Sequence, residues 1–199
     1  MSSSTSRAPS VIVVTGPSGA GKGTLIQAVL ERIPEVRPAV SATTRDRRPG
    51  EEDGREYHFL TQAEFLDRIE RGEFLEHVQY VSGHRYGTLR SELERIRSAG
   101  KVPLLELETE GALRVKAGVP GAVTIFISAG VDELERRLRE RATESTGEIG
   151  ERIALARKQL EQADEFDYVV ENDELDRALE ELTELIRGLL SGVGTMARP

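Results

Sequence analysis

The stretch VIVVTGPSGAGKGT, Val11 to Thr24, sets an apolar run, a glycine-rich turn and a helix-forming segment in immediate succession. Val11 to Thr15 is continuous and β-branched rather than alternating, the pattern of a strand buried on both faces of a parallel sheet. Downstream, Leu25, Val29 and Ile33 recur at helical spacing, and Pro34 stops the helix. Between the two, Gly16, Gly19, Gly21 and Lys22 satisfy the P-loop pattern G-x-x-x-x-G-K. The loop Gly16, Pro17, Ser18, Gly19, Ala20, Gly21, Lys22, Gly23 and Thr24 is therefore expected to wrap phosphate oxygens with backbone N–H groups while Lys22 adds a point charge. A Rossmann dinucleotide loop is the competing reading, but Thr24 stands where its third glycine belongs. The hydroxyl that usually closes the P-loop and ligates Mg²⁺ is replaced by Gly23. Mg²⁺ keeps several waters and leans on substrate phosphates, so water is expected to complete its shell with no direct protein ligand, leaving Thr24 to serve a phosphate.

The rest of the chain bounds this reading. Its 199 residues, 38% of them hydrophobic, suit one α/β domain with small insertions. With no cysteine there is neither a disulfide nor a thiolate metal site, and a reducing cytoplasmic setting is expected. A net charge of −8 repels polyanions, so no nucleic-acid partner is expected and any anion site must be local. No apolar run approaches the roughly 20 residues of a membrane span, and Met1 to Ser10 lacks the apolar core of a signal peptide. That polar start and the end, Ser191 to Pro199, read as flexible tails.

Ser41 to Phe59 carries Arg45, Arg47, Arg48 and Arg55 within an acidic chain, in a region that Pro49, Gly50 and Gly54 mark as loop or hairpin. The planar fork of Arg45 and Arg48 matches a second phosphate group, although Glu51, Glu52, Asp53 and Glu56 equally suit a solvated, self-neutralised charge run. Thr61 and Glu64 form a capping box for a helix that Gly72 ends. Phe74, Glu76, Val78 and Tyr80 then share one side of an extended segment, which makes Glu76 costly to bury unless something hydrogen-bonds to it. The other reading of Glu76 is a solvent-facing residue on an edge strand. His58, His77 and His84 show no metal-ligand spacing.

Leu89, Leu93 and Ile96 form a helical stripe that Gly100 caps, and Lys101 to Glu108 reads as a short strand. Pro103 argues against a central place for that strand unless it is the first residue. Glu106 and Glu108 share one face near the strand's end, where open parallel sheets bind ligands. Ala122 to Ser128 is a second buried strand, followed by a helix that Asp132 can cap, with Leu134 and Leu138 on its apolar face. Arg136, Arg137, Arg139 and Arg141 crowd that helix's end, either to offset its dipole or as part of a mobile arginine-bearing lid. Ile149 to Ala163, a short strand at Asp167 to Glu171 and a helix over Leu175 to Leu189 complete the chain.

Taken together, GPSGAGKGT at Gly16, S-A-T-T-R-x-x-R-P-G-E-x-x-G-x-x-Y-x-F from Ser41, FLEHVQY at Phe74, YGT at Tyr86, RLRER at Arg137 and END at Glu171 resemble the guanylate kinase family, in its order, over roughly Val11 to Leu190. The resemblance implies a P-loop NTPase-like parallel sheet flanked by helices, with a core at 11–40, 88–135 and 152–190. It implies an inserted GMP-binding unit at 41–87 and a lid at 136–151. The activity implied is transfer of the γ-phosphate of ATP, with Mg²⁺, to GMP and dGMP. Residue by residue, it assigns the GMP phosphate to Arg45, Arg48, Tyr57 and Tyr86, and guanine to Glu76, whose carboxylate suits the base's adjacent N–H donors. Ser41, Thr88 and Glu108 lie near the base, Glu106 near base or Mg²⁺-bound water. Lys22, Arg45, Arg137, Arg141 and Arg152 act in catalysis, and the turn at Asn172 frames adenine. Where the family shows D-x-D-x-Q-G, this chain has E-L-E-T-E-G, so each carboxylate reaches about 1.5 Å further. Other monophosphate kinases are opposed by SATTR and FLEH. A non-catalytic phosphopeptide-binding relative would typically lack Lys22, and a signalling GTPase would show a base-specificity motif that is absent here. The oligomeric state stays open.

Overall fold

The computed structural model of the protein describes residues 8–80, 82–140 and 146–192. Its strands are β1 (Val11–Thr15), β2 (Val36–Pro38), β3 (Ala42–Thr43), β4 (His58–Phe59), β5 (Phe74–Gln79), β6 (Arg85–Leu89), β7 (Val102–Glu106), β8 (Ala122–Ser128) and β9 (Tyr168–Glu171). Its helices are α1 (Lys22–Arg32), α2 (Gln62–Glu70), α3 (Arg90–Ser98), α4 (Thr109–Gly118), α5 (Val131–Glu140), α6 (Thr146–Leu160) and α7 (Leu175–Ser191). The chain divides into two units, residues 1–34 with 105–199, and residues 35–104.

In the first unit the β-branched run of β1 pairs in parallel with β8, Val11 opposite Ala122 through Thr15 opposite Phe126, and β8 pairs in parallel with β9. Val11 to Val14 are fully buried. Burial of each such side chain stabilises by ~1.5–3 kcal/mol, which is why the run is apolar on both faces. Helix α1 starts at Lys22 and gives way at Ile33, just before Pro34, with Leu25, Ile26 and Val29 buried. Leu134 and Leu138 are buried on α5 as their spacing requires. Asp132 is not its cap: it lies inside the first turn, while Gly130 N–H donates to Asp173 Oδ1 at 3.0 Å.

A charged pin holds the start of β9. Asp167 Oδ2 accepts from Thr124 N–H at 2.8 Å and from Thr124 Oγ1 at 2.7 Å, and Oδ1 pairs with Lys116 at 2.8 Å. Burial raises the Asp167 carboxyl, but Lys116 and Thr124 together bring it below its ordinary range. A depressed folded value contributes stability that is present above the unfolded value, roughly 3.9, and is lost as pH falls through the folded one. Asp167→Asn is therefore expected to melt lower at neutral pH but to lose less on acidification below about pH 4 than the parent, a comparison that thermal unfolding at several pH values provides.

In the second unit a four-stranded sheet has the order β4-β3-β6-β5, antiparallel except for β3 with β4. Its core is Ala42, Phe65, Phe74 and Leu89, with Leu60 and Ile69 against them, and the Phe65 and Phe74 rings stack at 4.3 Å. Both halves of the capping box are made: Glu64 N–H donates to Thr61 Oγ1, and Thr61 N–H to the Glu64 carboxylate. Along β5 the side-chain alternation is broken by a register shift between Phe74 and Glu76; both are buried, whereas Tyr80, past the strand's end, is 43% exposed. Gly87 is needed opposite this point, because a Cβ there would lie 2.7 Å from Glu76 O and 2.8 Å from the Phe74 ring.

The five-stranded parallel sheet has the order β2-β7-β1-β8-β9, so β7 is an interior strand even though Pro103 is its second residue. Val102 N–H donates to Glu35 O, and Ala39 N–H to Leu104 O, so the β2 edge of β7 is bonded through the residues on either side of the proline. Pro103's missing N–H falls on the alternate side and costs none of these bonds.

Candidate active site

In the first unit the end of β1 turns sharply into the glycine loop. Gly16 has φ 139°, and a Cβ there would sit 2.2 Å from Ile127 O, so only glycine lets the loop leave the sheet at this point. Gly21, at φ 82°, occupies the N-cap of α1 with no side chain capping the helix, and a Cβ on it would lie 2.5 Å from Asn172 Nδ2. The first turn's N–H groups thus face outward from a helix whose dipole favours an anion. Lys22 Nζ donates back to Gly16 O at 2.6 Å and Pro17 O at 3.0 Å. Burial pushes its pKa down, opposed by Glu106 and Glu108. Gly23 has open space where a side chain would stand, and Thr24 is exposed in the same turn.

Side chains distant in sequence brace this loop. Asn172, 2% exposed at the end of β9, donates from Nδ2 to Ala20 O at 2.7 Å. Arg137 on α5 donates from Nη2 to Asn172 O at 3.1 Å and from Nη1 to Gly19 O at 3.4 Å, and its Nε is held by Glu133 at 2.6 Å. Two arginines, Arg136 before Arg137, hold the Glu133 carboxyl down at about 2. Arg152 on α6 donates to Ser18 Oγ at 3.0 Å. Arg141 lies outside the described residues. Arg137 and Arg152 thus meet the loop from two helices, 118 and 134 residues along the chain.

Glu106, the last residue of β7, and Glu108, two residues on, lie in the first unit and act electrostatically on Lys22, whereas Glu76 lies in the second unit. Loss of hydration pushes the Glu106 carboxyl up; Lys22 opposes this and Glu108 adds to it. Glu108 is the N-cap residue of α4, yet its side chain does not cap: Oε2 accepts instead from Gln159 Nε2, a buried amide on α6, at 3.3 Å. Among the described residues no cluster of three or more His, Cys, Asp or Glu could hold a metal ion by itself.

The second unit collects the remaining predicted residues on and around its sheet. Arg45 forks onto Glu51, Nη1 to Oε2 at 3.1 Å and Nη2 to Oε1 at 2.8 Å, and lies over the rings of Tyr57 and Phe59 at 5.4 and 5.8 Å. Glu51 Oε2 also accepts Arg48 N–H at 2.8 Å, so one carboxylate ties the two arginines together. Arg45, and then the Arg48 N–H, hold the Glu51 carboxyl below its ordinary range. The acidic residues of this stretch were readable from the sequence only as neutralisers; Glu51 orders the arginines as well. The Tyr57 and Tyr86 rings meet edge to face at 5.9 Å. Glu76, 8% exposed, accepts from Thr88 Oγ1 at 2.9 Å across the β5–β6 pair, and Ser41 O accepts His58 N–H at 2.8 Å. Arg45, Tyr57 and Tyr86 therefore form one cationic and phenolic group, to which Glu51 ties the Arg48 backbone, and Glu76 with Thr88 a buried acidic one.

Known proteins resemble this chain in sequence and in fold. The family model described as guanylate kinase matches residues 8–189. A guanylate kinase of Synechococcus sp. (strain JA-3-3Ab) is 48% identical over 177 residues, covering 88% of this chain and 81% of the relative. One from Rubrobacter xylanophilus is 46% identical over 183 residues, covering 92% and 95%. The crystal structure of guanylate kinase from Anaplasma phagocytophilum overlays with a TM-score of 0.70 at 27% identity, over 95% of this chain and 89% of that one. A glycine loop with its lysine intact, a second unit carrying paired arginines and a buried carboxylate, and relatives matched along nearly their whole length agree: the chain belongs to the guanylate kinase family.

Proposed function

We propose that the protein transfers the γ-phosphoryl group of ATP to GMP, and to dGMP, directly and without a covalent enzyme intermediate. The observation that carries this is the buried Glu76 carboxylate, fixed by Thr88 within the unit that also holds Arg45, Arg48, Tyr57 and Tyr86. An acceptor carboxylate and a phosphate grip in one unit match the two ends of a guanine nucleotide, while the P-loop serves the donor. Lys22 and the α1 N-terminus take the ATP phosphates, and Arg137 and Arg152 bring positive charge to the same loop. Arg141 shares their role by family resemblance, and the segment 136–151 is assigned as the lid that keeps water from the transferring group.

The donor set around Lys22 fits Mg²⁺ bound chiefly through phosphates and water: two carboxylates, Glu106 and Glu108, stand nearby, and Gly23 offers no hydroxyl. When bound, Mg²⁺ neutralises charge on the donor phosphates. Among the described residues no helix is long and apolar enough to cross a membrane; a cytoplasmic enzyme of nucleotide metabolism is the reading we adopt.

Asn172→Ala is expected to raise the KM for ATP roughly fivefold to tenfold with little change in the KM for GMP, since it removes the brace on Ala20 O. Steady-state kinetics with each substrate varied in turn measures this. The function itself is tested by ADP release from ATP with GMP, dGMP, AMP, CMP and dTMP, with and without Mg²⁺. Rapid, Mg²⁺-dependent turnover with GMP and dGMP alone is the expected result; preference for another monophosphate, or no turnover, contradicts it.

A further inference from the structure

Glu92, on α3, is a charged side chain only 4% exposed, and neither the phosphate grip nor the base contact uses it. Its carboxylate reaches across the second unit. Oε1 accepts Val40 N–H at 3.0 Å and Arg95 Nη2 at 2.7 Å; Oε2 accepts Arg95 Nε at 2.9 Å and faces His58 Nε2 at 3.7 Å. Burial by itself pushes this carboxyl up, but Arg95, the Val40 N–H and His58 reverse the shift and keep it below its ordinary range. A carboxylate at such depth is costly unless it is partnered on every side.

The partners share a position in the chain. Val40 immediately precedes Ser41, and His58 immediately follows Tyr57. Residues 39–41 have no regular structure of their own, yet each is fastened: Ala39 N–H to Leu104 O at 2.9 Å, Val40 N–H to Glu92, and Ser41 O to His58 N–H at 2.8 Å. Two of these three fastenings end on Glu92 or on the residue it faces. A single buried group on α3 therefore contacts both segments, beside the backbone pairing of β3 with β4 and β6, at the residues next to Ser41 and Tyr57.

We propose that Glu92 is a positioning residue of the acceptor half-site: by holding Val40 and backing His58 it places Ser41 and Tyr57, and so sets the affinity for the nucleoside monophosphate without touching it. This rests on the GMP reading given above. The alternative, that Glu92 only stabilises the fold, makes a different forecast, because a general loss of stability does not separate the two substrates.

The test compares the full-length parent, Glu92→Leu and Glu92→Gln in steady-state kinetics with GMP and ATP varied in turn, alongside thermal melting. Leucine leaves the half-buried Val40 N–H without its carboxylate partner, so the KM for GMP is expected to rise about tenfold, the scale of one lost hydrogen bond to a charged group. The kcat and the KM for ATP are expected to stay within about twofold. Glutamine keeps an oxygen for Val40 and is expected to return the KM for GMP to within about threefold of the parent. An unchanged KM for GMP in Glu92→Leu, equal rises in both KM values, or a glutamine variant as impaired as leucine overturns the proposal. Should Glu92→Leu not fold, Glu92→Gln decides alone: a rise of about twofold to threefold confined to GMP supports positioning, and any other pattern removes it. Failure of the parent to use GMP at all strikes the GMP reading instead, before any variant is compared.

Discussion

Lys22→Met is expected to lower kcat by on the order of 10³ while leaving the fold intact. Lys22 is the one cation within the loop Gly16 to Thr24, and its Nζ now bridges the carbonyls of Gly16 and Pro17. Those carbonyls hold the ammonium at the mouth of the loop, where burial disfavours its charge and Glu106 and Glu108 favour it. Phosphate oxygens would act in the same direction as the two carboxylates, so the lysine stays charged in the step that needs it. Methionine preserves the stem's packing and removes the charge together with the two hydrogen bonds to Gly16 O and Pro17 O. Transition-state charge on the transferring group then lacks one of its fixed partners, a loss felt in kcat more than in the KM for ATP. Circular dichroism and a melting temperature close to the parent's would show that the loop still folds; a kcat within tenfold of the parent would remove Lys22 from the chemistry.

Glu76→Gln is expected to cut kcat/KM for GMP by roughly 10² to 10⁴ with the KM for ATP within twofold. The change is nearly isosteric, and the amide oxygen can still accept from Thr88 Oγ1. What it cannot do is accept twice along the base edge, because one oxygen becomes an NH₂ that points a donor at guanine's own donors. Glu76 is 8% exposed, so water cannot compensate for that mismatch. Monophosphates that the parent rejects should change little. Measuring kcat/KM for GMP and ATP in the same preparation separates this loss from misfolding, and equal loss for both substrates would contradict the base-reading role.

Local chemistry accounts for what the sequence made readable. The run Val11–Thr15, the glycine loop and the Leu25–Ile33 stripe lie within a few residues of one another, and each feature is dictated by its neighbours: burial on two faces, a φ only glycine adopts, a period of 3.6. The Thr61–Glu64 box was readable for the same reason. Pro103 misled because the rule against interior prolines concerns both edges of a strand, whereas the bonds to β2 run through Val102 and Leu104. Asp132 misled because Gly130 and Asp173, 43 residues apart, provide the contact at the start of α5.

The site divides along the same line. Its residue types and their order were legible, but their bracing was not. Asn172 reaches Ala20 across 152 residues, and Arg152 reaches Ser18 across 134. Gln159 meets Glu108 across 51, and Glu92 meets Val40 across 52. No periodicity or motif signals such pairs, since each depends on which strands lie side by side. The sequence also left Glu106 between a base-binding and a metal-water role and assigned Glu108 to the base; both act electrostatically on Lys22 of the phosphate loop.

The most direct measurement of the central claim follows the phosphorus atom. The protein is mixed with ATP labelled at the γ-phosphate, GMP and Mg²⁺, and the products are separated after a single turnover and after many. Label in the β-phosphate of GDP at both times, with none on the protein and little in inorganic phosphate, is the expected result. Label retained on the protein, or released as inorganic phosphate with GMP unchanged, would contradict direct transfer between two bound nucleotides.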